Sequence, residues 1–231
     1  MTESPPPSIE RAFTLIELLV VIATITILVA IALPAFSGVL ERAKATKDLS
    51  NLRQIGSATQ MYMNDNNGVL FSTGSSWMTQ LNPKYISRWA VLQSPFDKRP
   101  GSEAGTVIPV SPISYGINSN VFSGSVPFSA DRITKPSSFI LFAPAQKSGG
   151  TVSFQGTAVV TQPVVTVLGR GGNTATSNPG GDATGGTHNN RTKINALFAD
   201  LHSETMSWAT FTNNAATSSD PDGLYRWTPT P

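Results

Sequence analysis

Few residues in this chain are of a type and spacing that can do chemistry. The first is Glu17, which lies four residues after Phe13 at the mouth of a long apolar run. A carboxylate inside such a helix costs about 2.5–3.5 kcal/mol at the centre of a bilayer, and less near an end. Read plainly, Glu17 is a partly solvated residue at a helix end. Read functionally, it is an acid that waits for a cationic partner. The second group is His188, Asp200 and His202, two imidazoles and a carboxylate that form a conceivable metal ligand set. His188 falls in a Gly-rich loop, and Asp200 with His202 equally reads as a polar hairpin end, so no metal site is assigned. The third is Asp220-Pro221-Asp222-Gly223, a turn signal with two carboxylates that leaves calcium binding open. Gly-x-Ser-x-Gly, His-Glu-x-x-His and Gly-x-Gly-x-x-Gly are all absent. No catalytic residue and no cofactor site is expected.

Composition narrows the classes further. The chain has 231 residues, no Cys, 13% charged and 39% hydrophobic residues. Without Cys there is no disulfide framework, thiolate zinc site or cysteine nucleophile. A net charge of +2 is too small to argue for nucleic acid or an anionic surface. Arg42, Lys44, Lys47 and Arg53 read as a solvated helix surface, and Trp77, Trp89, Trp208 and Trp227 as core or rim aromatics rather than a ligand platform.

Residues 1–12 carry Pro5-Pro6-Pro7 and read as an extended leader. From Leu18 to Leu40 there are 23 positions without a charge. About 20 such residues in a helix span a ~30 Å hydrocarbon layer. Thr24 and Thr26 do not spoil that span, because each hydroxyl can return to a backbone carbonyl one turn back. Pro34 removes the hydrogen bond to the Ala30 carbonyl at a cost of about 3 kcal/mol. Helical texture resumes beyond it, so a kink or local melting point is expected there rather than a stop. In 37–63, Ala45, Leu49, Leu52, Gly56, Thr59 and Met63 form one stripe, and Arg42, Lys44, Lys47, Asp48 and Arg53 are expected mostly off it. Asn64 to Gly68 should terminate this amphipathic helix. If the two segments are continuous, they make a helix of roughly 75 Å at 1.5 Å per residue.

Arg11-Ala12-Phe13-Thr14-Leu15-Ile16-Glu17-Leu18-Leu19-Val20-Val21-Ile22 resembles the prepilin signature of type IV pilins and type II secretion pseudopilins. Pro34 also lies where many of these helices carry a proline. Ala12 stands where the family usually has Gly, and Arg11 is the leader's only basic residue, a weak positive-inside signal. The resemblance implies an α+β pilin-like fold, with a long N-terminal helix, its first half transmembrane, packed on a C-terminal antiparallel β-sheet head. It implies cleavage between Ala12 and Phe13 by prepilin peptidase, N-methylation of Phe13, and pairing of Glu17 with the Phe13 amine of a neighbouring copy. It further implies a single-pass inner-membrane protein with a periplasmic head, then assembly with copies of itself and other pilin-like subunits by a platform and ATPase into a pilus or pseudopilus. The divisions are then 1–12 leader, 13–63 helix (13–36 membrane-spanning, 37–63 amphipathic) and 64–231 head. An alternative is a secreted or anchored envelope protein with an ordinary signal sequence, cut after Ala30-Ile31-Ala32 to begin at Leu33. A periplasmic hydrolase on an anchor lacks any recognisable nucleophile and base.

In the head, 138–143, 164–168 and 194–199 read as strands, and 201–208 as a segment that pairs back on the last of them. Residues 169–190 read as a mobile surface loop. Ser94-Pro95-Phe96-Asp97-Lys98, Ser114-Tyr115-Gly116-Ile117-Asn118 and the late His188 with Asp200-Leu201 are similar to segments of planctomycete- and verrucomicrobial-type pilin-like proteins, where Ser94 is Cys and Leu201 is Gly. Leu at 201 argues against a tight turn, because Leu tolerates positive φ poorly.

Overall fold

The computed structural model describes residues 13–72, 77–96, 113–122, 128–147, 153–154, 186–213 and 215–230. Residues 1–12, expected to be a leader and ending in Ala12, the expected strand at 164–168 and most of the expected loop, 169–185, lie outside the described residues. The chain divides into two units, Met1–Arg42 and Ala43–Pro231.

Helix α1 spans Leu15–Asp65, 51 residues, and its assignment continues through Pro34. Among the described residues of the first unit it is the one element. Large apolar side chains from Phe13 to Leu40 are 46–81% exposed. The most apolar 18-residue window has a mean hydropathy of 2.8 and buries none of its residues. This is a helix long and apolar enough to cross a membrane. Thr24 Oγ1 donates to the Val21 carbonyl (2.9 Å) and Thr26 Oγ1 to that of Ile22 (2.7 Å), as the sequence led us to expect.

The second unit is α+β. Its strands are β1 (Ile113–Asn118), β2 (Ile140–Lys147), β3 (Ser153–Phe154), β4 (Lys193–Phe198) and β5 (Ser203–Ser207), ordered β3-β1-β2-β4-β5. β1, β2, β4 and β5 form four antiparallel strands, and the two-residue β3 adds to β1 in parallel. The expected segments at 138–143, 194–199 and 201–208 thus become β2, β4 and β5.

The second half of α1 lies on this sheet. Leu52, Ile55, Ala58 and Met63 enter the core with Thr59, at the three- and four-residue spacing of one helical face. Asp48 departs from expectation: it lies on the buried face and is fully inaccessible. Its position three residues after Ala45 and four before Leu52 puts it there by helical geometry alone. Gly56 lets the helix approach the sheet closely. A Cβ at Gly56 would sit 3.1 Å from Leu197 Cδ1 of β4. As expected, α1 ends at 64–68: Asn67 and Gly68 turn left-handed (φ 56° and 75°), and the Gly68 N–H donates to the Met63 carbonyl at 2.8 Å.

The core is rich in aromatics. Trp77, opening the short helix α2 (Trp77–Leu81), meets Phe142 edge-on at 4.9 Å. Trp227 meets Phe211 of α3 (Trp208–Thr212) the same way, and its Nε1 donates to the Phe211 carbonyl. All four tryptophans are buried, as expected of core residues.

The β4–β5 connection corrects a second expectation. A tight three-residue turn does form, with Leu201 at φ 69° and its N–H donating to the Phe198 carbonyl at 3.0 Å. Such a turn needs a left-handed third residue. For a non-glycine this costs roughly 1–2 kcal/mol. The Leu201 side chain packs against the core, which offsets that cost.

Gly56→Leu is expected to lower the head's stability by about 1–3 kcal/mol through overpacking against Leu197. Urea denaturation of the purified chain measures it.

Candidate functional site

Two places in the described residues combine polar chemistry with a demanding environment. The first is the start of α1. Thr14 is the residue before the helix and Glu17 its third residue. The Glu17 N–H donates to Thr14 Oγ1 (3.3 Å), and the Thr14 N–H donates back to Glu17 Oε2 (2.9 Å). Thr14 Oγ1 also bonds Glu17 Oε2, at 2.7 Å. This reciprocal pair is a capping box, which satisfies backbone donors that the first turn leaves without partners. The sequence contained its signature, Thr-x-x-Glu, but the reading of Glu17 as an acid awaiting a cation passed over it. Phe13, just before the box, is 77% exposed.

The second place lies at the joint of α1 with the sheet. Asp48 Oδ1 accepts from Ser94 Oγ (2.5 Å) and Tyr115 OH (2.7 Å), and Oδ2 accepts from Asn195 Nδ2 (2.8 Å). Asn195 Nδ2 also reaches the Ala45 carbonyl (3.0 Å), while its Oδ1 accepts from Thr205 Oγ1 (2.6 Å). Asn51, one turn along α1, donates to the Gln93 carbonyl (2.9 Å) and to Tyr115 OH (3.3 Å). Three separate parts of the chain thus converge on one helix face, and Thr205 of β5 supports one of them. Burial pushes the Asp48 carboxyl up from its ordinary value, against the lowering effect of Ser94, Tyr115 and Asn195. Burial, then the adjoining carboxylate, raises Tyr115 well above its usual range.

Of the motifs noted in the head, Ser94 and Tyr115 belong to this cluster. Asn118, at the end of the Ser-Tyr-Gly-x-Asn segment, ties the Ile140 carbonyl (3.0 Å) and that of Trp227 (3.3 Å). Asp97 and Lys98 lie outside the described residues. Sequence reasoning missed Asp48, Asn51 and Asn195. Their signal was a polar residue at a buried helical or strand position.

The candidate ligands are not brought together. His188 is buried and stacks on Phe96 at 5.5 Å, with its backbone bridged to Lys193. The end of the expected mobile loop is therefore tucked against the start of β4, where the turn after Asn190 returns it. His202 stacks on Phe198 at 4.3 Å and meets Asp200 Oδ1 at 2.5 Å. Among the described residues, no group of three His, Asp or Glu side chains is placed to hold a metal. Asp220 pairs with Arg226 (2.8 Å) and accepts from Asn213 (2.7 Å), and Asp222 pairs with Lys135. These cations hold both carboxyls below the usual range. Each acid of the Asp-Pro-Asp-Gly turn already has a cation. Arg42, Lys44, Lys47 and Arg53 are exposed, and Arg53 Nε donates to Ser203 Oγ (3.2 Å).

No family model, curated protein or solved structure matches this chain.

Asp48→Ala would leave Ser94, Tyr115 and Asn195 each with a buried donor to satisfy. A loss of about 3 kcal/mol is expected. Chemical denaturation with tryptophan fluorescence reads it, because all four tryptophans are in the core.

Proposed function

We propose that this chain is a structural subunit of a filament of the type IV pilus or type II secretion kind. The observation that carries the reading is the first half of α1, a helix with apolar side chains exposed on every face and a carboxylate at its capped start. A soluble monomer has no use for such a surface. Lipid covers it before assembly, and the helices of neighbouring copies cover it afterwards, so the apolar face never meets water.

In this reading prepilin peptidase cuts between Ala12 and Phe13, and the new amine on Phe13 is methylated. That amine is a positive charge one residue ahead of the N-terminal cap, at the positive end of the helix dipole, where a cation is disfavoured. A carboxylate from an adjacent copy relieves it. Glu17 is that group, and breaking such a pair in a dry core costs about 3–5 kcal/mol. Both capping bonds to Glu17 end on Oε2. Before assembly the helix sits in the inner membrane with the head in the periplasm. A platform and ATPase then draw it into a polymer with copies of itself and other pilin-like subunits. The role is structural rather than enzymatic, and Pro34 supplies the point where the helix can bend or melt locally.

Mass spectrometry of the mature protein tests the reading. Methylated Phe13 as the first residue is the expected result. A chain beginning at Leu33 marks an ordinary signal sequence and overturns it. Glu17→Ala should be cut normally yet be excluded from filaments, as seen by immunogold microscopy of sheared material. Incorporation of this variant at the wild-type level would remove the pairing role.

A further inference from the structure

Among the described residues of the head, the acids that meet a lysine or arginine are at least partly exposed, as is Asp200 beside His202. Asp65 has Lys84 at 2.7 Å, Asp220 has Arg226, and Asp222 has Lys135. Asp48 is the exception. It is fully buried, and its partners are two hydroxyls and an amide, all neutral. Among the described residues, no charged group on the surrounding elements bonds it. On α1, Lys44 and Lys47 are exposed and Glu41 is half-buried; Lys193 of β4 and Glu204 of β5 are exposed; His188 stacks on Phe96, two residues beyond Ser94. Tyr115 of β1 is the titratable group in contact.

We propose that Asp48 is a proton-operated latch between α1 and the sheet, closed when its carboxyl is neutral and loosened when it ionises. The geometry suits both states unequally. A neutral carboxyl donates its proton to one hydroxyl, and a hydroxyl can accept as readily as it donates. Ser94 Oγ already acts as an acceptor, for the Phe96 N–H at 3.3 Å. Tyr115 and Asn195 then go on donating to the carboxyl, and the Ser94 hydrogen is the one donor displaced. An ionised carboxylate keeps three hydrogen bonds but places a full charge in a site without a cation, which burial penalises. The latch joins α1 to the 93–94 segment, to β1 and to β4, and through Thr205 to β5. It rests on the head's own packing and not on the filament reading.

The sign follows from linkage. The folded-state value lies above the ordinary 3.8, so the Asp48 contribution is complete below that pH. It is lost as pH rises through the raised value. Asp65, Asp220 and Asp222, all lowered, act in the opposite sense and at lower pH.

The test uses the full chain in detergent micelles. Thermal unfolding of wild type and Asp48→Asn is followed from pH 4 to pH 8. The melting temperature of wild type relative to the variant is expected to fall by about 4 °C or more across that range, the scale of a one- to two-kcal effect in a head of this size. Hydrogen exchange at residues 45–52 should accelerate in parallel, beyond the intrinsic pH effect, in wild type alone. Identical profiles for the two proteins overturn the latch. Should Asp48→Asn not fold, the infrared carbonyl band of protonated carboxyl groups decides on wild type alone. One carboxyl whose band outlasts the others as pH rises supports the proposal, and disappearance of all bands together overturns it.

Discussion

Two opposite demands meet on one helix. Residues up to about Leu40 present apolar side chains that no described part of their own unit covers, whereas from Asp48 onward the inward face is buried. Neither half is stable for the usual reason. The first half has hydrogen bonds but nowhere to bury its surface. The second half borrows its stability from the sheet, through Leu52, Ile55, Ala58 and Met63. Most features of the chain answer one demand or the other. The reciprocal Thr14–Glu17 bonds close the end of the apolar half, and the left-handed Asn67 and Gly68 close the end of the packed half.

Polar residues do the aligning in the head. A helix lying on a sheet through apolar contacts alone can slide, because one aliphatic contact resembles the next. Asp48 and Asn51 remove that freedom. Their partners are single atoms on Ser94, Gln93, Tyr115 and Asn195, and a shift of one residue would break every bond. Gly56 adds a steric complement, since helix and β4 approach there more closely than a side chain permits without adjustment. Asn118 and Asn120 do similar work at the other end, both donating to the Trp227 carbonyl and holding the C-terminal segment over the sheet.

Helix α1 and its terminus were legible because charge, apolar period and the Asn-Gly stop agree over fifty residues. β2, β4 and β5 were legible as apolar or alternating runs. β1 was noted only as a similar segment, because Ile113–Asn118 mixes Ser, Tyr, Gly and Asn with few apolar residues. Its polar groups are satisfied by distant parts of the chain, and local pattern carries no trace of such partners. The same holds for Asp48: Ser94, Tyr115 and Asn195 lie 46, 67 and 147 residues away. Leu201 shows a different limit. Its backbone preference opposed the turn, and packing against the core prevailed. At the start of α1, the expectation of an unsatisfied acid obscured a local motif that was visible in four consecutive letters.

The hydroxyls of Thr24 and Thr26 are spent on carbonyls of their own helix. Between Leu18 and Leu33 the rod therefore offers its surroundings methyl and methylene groups and no polar catch. Such a surface resists neither rotation nor travel along its axis: a rod of this kind can be drawn lengthwise with little friction, and whatever stops it at a given height must act at its tip or at its base.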